Sequence, residues 1–74
     1  MIKVPDSYFS RFNYFEHAVL SLLRRNPGHW FTANEVAEHT GMAWETAHDT
    51  LIALHRRGYV VMGRKRKQVY WRLY

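Results

Sequence analysis

Up to Arg57 the apolar residues of this chain recur three and four positions apart, and beyond Gly58 they alternate with polar ones. The first spacing lines one face of a helix, the second one face of a strand. A chain that changes period once, near its C-terminal third, is constrained to a helical body followed by a β-hairpin, both resting on one core. With 74 residues there is room for a single domain, expected to span 1–74, that buries about 60–65% of its unfolded surface. Hydrophobic residues make up 47% and aromatics 16%, enough to fill that core and to argue against disorder.

The first helix is expected to carry Phe12, Phe15, Val19, Leu22 and Leu23 on its buried face. Two starts compete for it. Asn13 followed by Glu16 forms a capping box, whereas Asp6 after Pro5 would begin it two turns earlier and add Tyr8 and Phe9 to the stripe. Arg24 and Arg25 suit the negative end of the helix dipole, and Asn26-Pro27-Gly28 stops the helix. Thr32 and Glu35 form a second capping box, opening a short helix with Val36 and Ala37 inward and Gly41 at its end. The intervening His29-Trp30-Phe31 reads as a brief extended segment able to pair with the hairpin. A third helix is expected from Ala43 to Arg57, burying Ala47, Leu51 and Leu54 and capped by Gly58. Strands follow at about 59–63 and 68–74, with Val69, Trp71 and Leu73 facing the core. Trp30 and Trp71 are both expected as core aromatics.

Charge is divided as sharply as periodicity. Residues 50–74 hold seven Lys and Arg and no acid, residues 1–49 four bases and six acids, so +7 and −2 make up the net +5. Arg64-Lys65-Arg66-Lys67 occupies the hairpin tip. Charged tips discourage edge-to-edge pairing, but mixed signs would serve that end equally well. An all-positive tip, with Arg56, Arg57 and Arg72 nearby in sequence, points to a polyanion and to contacts with phosphate.

Two helices joined by a short turn with glycine form the helix-turn-helix plan. Val36-Ala37-Glu38-His39-Thr40-Gly41-Met42 supplies it, with Ala37 permitting close approach, Gly41 the turn and Met42 the filling. The pattern continues through the leucine stripe to Arg56-Arg57-Gly58 and then to Val69-Tyr70-Trp71-Arg72-Leu73. Over residues 13–74 the chain resembles the winged helix-turn-helix family, of the MarR-like and ArsR-like kind found in small bacterial and archaeal regulators. The resemblance implies an α+β fold of three helices with a C-terminal two-stranded β-hairpin wing. It also implies a third helix in the major groove of duplex DNA and a wing against the backbone. The groove-facing positions would be Ala43, Trp44, Glu45, Thr46, His48, Asp49 and Ile52. This face departs from the family in having two acids and no Lys or Arg, so the common bidentate arginine contact to guanine is missing. Trp71 stands where the Z-alpha winged helices, which bind left-handed DNA, keep a tryptophan. Those domains also use an asparagine and a tyrosine on the third helix and prolines in the wing. This chain has His48 and Ile52 there and no wing proline, which separates it from that subfamily.

The expected function is a duplex-DNA-binding transcriptional regulator. Arg56, Arg57, Arg64, Lys65, Arg66 and Lys67 would contact phosphate, while Trp44, Thr46, His48 and Asp49 would face the groove. The alternative is a protein-interaction module using a Trp44/Ile52 face. A third possibility is RNA or single-strand binding, with Tyr70 and Tyr74 as stacking platforms. Residues 1–12 read as an aromatic arm or helix extension, and the first helix as the seam of a homodimer. With no cysteine and no histidine cluster at ligand spacing, no metal or cofactor is expected. No nucleophile elbow, phosphate loop or ligand cleft marks an enzyme. The apolar runs fall far short of the ~20 residues of a membrane span, and no signal-peptide pattern opens the chain. A cytoplasmic protein is the expectation.

Overall fold

The structure, a computed structural model, describes residues 12–74. Three helices, α1 (Tyr14–Arg25), α2 (Ala33–Thr40) and α3 (Trp44–Arg56), precede two strands, β1 (Val60–Lys65) and β2 (Gln68–Leu73). This is the three-helix winged helix-turn-helix architecture. The earlier start at Asp6 and the arm over residues 1–12 lie, Phe12 apart, outside the described residues.

Both capping boxes form. Glu16 N–H donates to Asn13 Oδ1 at 2.8 Å and Asn13 N–H to Glu16 Oε1 at 2.9 Å. Thr32 and Glu35 repeat the exchange at 3.1 and 2.8 Å. Each box satisfies two amides that a helix start would otherwise leave unpaired. The end of α3 is equally well specified. Arg57 is the cap, and Gly58 follows at φ 84°, where a side chain would be strained. Tyr59 N–H then reaches Leu54 O and Gly58 N–H reaches His55 O, both at 3.0 Å, in the Schellman arrangement. That turn reverses the chain into β1.

β1 and β2 pair antiparallel from Val60↔Leu73 to Lys65↔Gln68, leaving Arg66 and Lys67 as a two-residue loop. The strands therefore start and stop slightly differently from 59–63 and 68–74, because pairing runs up to the loop. The extended segment before α2 does join the sheet, through mutual hydrogen bonds of 2.8 and 2.7 Å between Phe31 and Trp71. The core gathers Val19, Leu20, Leu23, Val36, Ala47, Leu51, Leu54, Val60 and Trp71 between the helices and the inner face of the sheet.

Three side chains depart from expectation, each for a positional reason. Phe15 is 43% exposed. Glu16, tied to the cap and to Arg57, occupies the core side of the first turn, so the buried arc of α1 swings toward Glu16 and Leu20 and leaves Phe15 at its margin. Trp30 is 39% exposed rather than in the core. Side chains alternate along an extended segment, and Phe31 takes the inward position. Ile52, expected in the DNA-facing set, is half-buried against the core. Trp44 is thus the one large apolar side chain that α3 exposes among the described residues, and Ile52 offers only part of its surface to the Trp44/Ile52 face of the interaction-module reading.

Candidate nucleic-acid interface

The start of α3 is set by Ala43, which enters the helix in extended conformation with no side-chain cap. Uncapped amides and the positive end of the helix dipole are therefore presented outward beside Trp44. One turn on, His48 stacks on the Trp44 indole with ring centres 4.9 Å apart and planes 16° from parallel. Its Nδ1 stands 3.6 Å from Asp49 Oδ1. The stack forms because positions i and i+4 lie above one another on a helix, and it holds two flat rings in one orientation at the mouth of a groove.

That groove, of about 170 Å3, runs between the N-terminal ends of α2 and α3 and the wing from its loop at Lys67 along β2 to Trp71. Asn34, Trp44, His48, Lys67, Gln68 and the edge of Trp71 line it. Among the described residues Lys67 is the sole Lys, Arg, Asp or Glu of the lining, and Asp49 stands beside the lining His48. Asn34 and Gln68 were not singled out by the sequence. Asn34 sits in the first turn of a short helix with no charge to mark it, and only tertiary placement brings it opposite Trp44. Gln68 belongs to an alternating strand and differs from its neighbours in nothing but polarity.

The other sequence candidates are dispersed around this groove. Thr46 is half-buried and Asp49 exposed, both on α3 outside the lining. Arg66 is exposed at the tip of the wing with φ 58°, and Arg56 is exposed at the far end of α3. Arg64 and Lys65 border a second cleft, on the outer face of the sheet. Arg57 is engaged within the chain: its Nη1 donates to Glu16 Oε2 at 3.3 Å, and its guanidinium lies over the rings of Phe12 and Tyr59 at 4.9 and 5.4 Å. Among the described residues no cluster of His, Asp or Glu could hold a metal ion, and no helix is long and apolar enough to cross a membrane.

These features agree with comparisons against known proteins. The Zalpha domain from Carassius auratus PKZ, solved in complex with Z-DNA, is similar in structure, with a TM-score of 0.70 and 25% sequence identity over 81% of this chain and 92% of that one. No curated protein sequence matches. Residues 17–62, more than half of the chain, match the IclR helix-turn-helix domain. That match covers α1 from its first turn, the turn at Gly41, α3 and the first half of β1. The chain belongs to the IclR helix-turn-helix domain family and is a DNA-binding winged-helix protein.

Proposed function

We propose that this chain is the DNA-binding unit of a small transcriptional regulator, one that sets the start of α3 into the major groove and closes its wing on the phosphate backbone. The observation that carries this reading is the groove between Trp44, His48 and Lys67, bordered by a lysine and open at a helix N-terminus where anions are favoured. Arg64, Lys65 and Arg66 extend the positive surface along the wing, and Arg56 adds to it from the end of α3. Arg57 also contributes to the fold, through Glu16 and the rings of Phe12 and Tyr59. Kinship with MarR-like and ArsR-like regulators is part of the same reading and rests on the leucine stripe and the Arg56-Arg57-Gly58 turn. The Zalpha likeness favours a second reading, a left-handed duplex as target, since Trp71 edges the groove in this chain too. His48 and Ile52 stand against it.

Exposed Tyr14 and Phe15, packed edge to face at 5.6 Å, support a homodimer through α1. A footprint of two half-sites about one helical turn apart would accompany it.

Salt titration tests the phosphate role. Log K for duplex DNA should fall linearly with log salt, and replacing Arg64, Lys65, Arg66 and Lys67 by Ala should flatten the slope by about 0.9 per lost contact. An unchanged slope in that variant removes the wing from the interface. Running the same titration on right-handed and left-handed duplexes separates the two readings.

A further inference from the structure

We infer that the outer face of the wing is a second nucleic-acid site, one that takes unpaired DNA by stacking a base on Trp30 and Tyr70 while Lys65 holds its phosphate. Antiparallel register divides the wing. Val69, Trp71 and Leu73 face the core and the groove, and Arg64, paired with Val69, shares that face, while Gly63, Lys65, Tyr70 and Arg72 share the opposite one. On that opposite face a cleft of about 380 Å3 is lined by Trp30, Gly63, Arg64, Lys65 and Tyr70. It is larger than the groove beside α3, and it falls within the size range of small-ligand sites.

The cleft is a built feature. Trp30 is thrown to this side by the Phe31–Trp71 bridge, and its six-membered ring lies directly on Gly63. A Cβ at position 63 would stand 2.9 Å from Trp30 Cζ3, so the absence of a side chain there is what lets the indole lie flat on the strand. The Arg72 guanidinium sits 5.0 Å from the indole centre, with its Nε buried and lacking a hydrogen-bond partner. Burying a polar atom in this way costs stability. Trp30 is thus held against the sheet and is still 39% exposed.

Chemistry selects the occupant. Two aromatic rings beside two cations, with no acid among the described lining residues, suit a group that offers a flat π-face and a negative charge together. A nucleotide offers both. In an intact duplex the face of each base is hidden in the stack, so the base must come from an unpaired stretch. An acidic peptide would satisfy Arg64 and Lys65 but give the rings nothing to stack on.

Fluorescence anisotropy with a labelled oligothymidylate tests this on the intact chain. Tyr70→Ala and Trp30→Ala should each weaken single-strand binding roughly tenfold, the scale of one lost base stack, and leave duplex affinity unchanged. Trp44→Ala should do the reverse. If Trp30→Ala melts early, Tyr70→Ala and Lys65→Ala decide alone. Unchanged single-strand affinity in both of those would overturn the site. So would equal binding of a polyglutamate peptide.

Discussion

Arg66 shows how one residue can serve the surface at the expense of the fold. It is the first loop residue of the wing, at φ 58°, a conformation that hairpins usually give to Gly or Asn. An L side chain there costs about 1–2 kcal/mol, and glycine recovers part of it while adding freedom to the unfolded chain. Arg66→Gly should therefore raise stability in urea by up to about 1 kcal/mol. The same substitution should lower the salt slope of duplex binding by about 0.9 if its guanidinium meets a phosphate. A variant that loses stability would show that the loop is held by Arg66 contacts rather than strained by it.

At the scale of elements, the helices were legible and the placement of single aromatic and cationic side chains was not. Asn13/Glu16, Thr32/Glu35, Gly41 and Gly58 fix where α1, α2 and α3 begin or end through bonds spanning three to five residues, so sequence spacing is enough. The strand alternation likewise placed Trp71 in the core. The contacts of Arg57 were not legible because its partner is 41 residues away: beside Arg56 it looks like half of a basic pair, and only the packing of α1 on α3 brings Glu16 to it. Trp30 was misread because an apolar residue in an extended segment has two faces to choose between, and the choice is made by which neighbour bridges to β2. The groove was half legible, in Trp44, His48 and Lys67. Its other wall comes from Asn34 and Gln68, which no local pattern marks.

The Arg57 contacts also yield a contrast between adjacent residues. Arg57 ties the start of α1 to the end of α3 through Glu16, which is only 7% exposed, and covers the edge-to-face pair of Phe12 and Tyr59. Arg57→Ala removes a partly buried ion pair and ring contacts, and should cost about 1–3 kcal/mol. Its effect on the salt slope should be slight. Arg56→Ala should leave the melting temperature within error and reduce the slope. Thermal melts and salt titrations of the two variants measure both quantities. Similar behaviour of the pair would contradict the division of labour.

Across the whole molecule, the positive charge of the C-terminal third resolves into separate places: a groove floor at Lys67, a loop at Arg66, an outer cleft at Arg64 and Lys65, and an interhelical tie at Arg57. The exposed face of α3 carries no base before Arg56 and has acids at Glu45 and Asp49. On the proposed reading, affinity and base readout fall to different parts of the surface.

The Phe31–Trp71 bridge has a mechanical consequence for that division. Phe31 immediately precedes Thr32, the cap of α2, so the wing is pinned to the helix-turn-helix one residue from where its helices begin. The span from the mouth of α3 to the wing is then a ruler of set length. A duplex that does not match it must bend or change its groove width to fit, and that deformation is cheap at some base steps and dear at others. Duplexes sharing the same contacted bases but differing between stiff A-tracts and flexible TA steps at the centre should therefore bind with measurably different affinities, and equal affinities would show the ruler to be slack. A protein with few side chains for reading letters would in this way choose its sites by their stiffness.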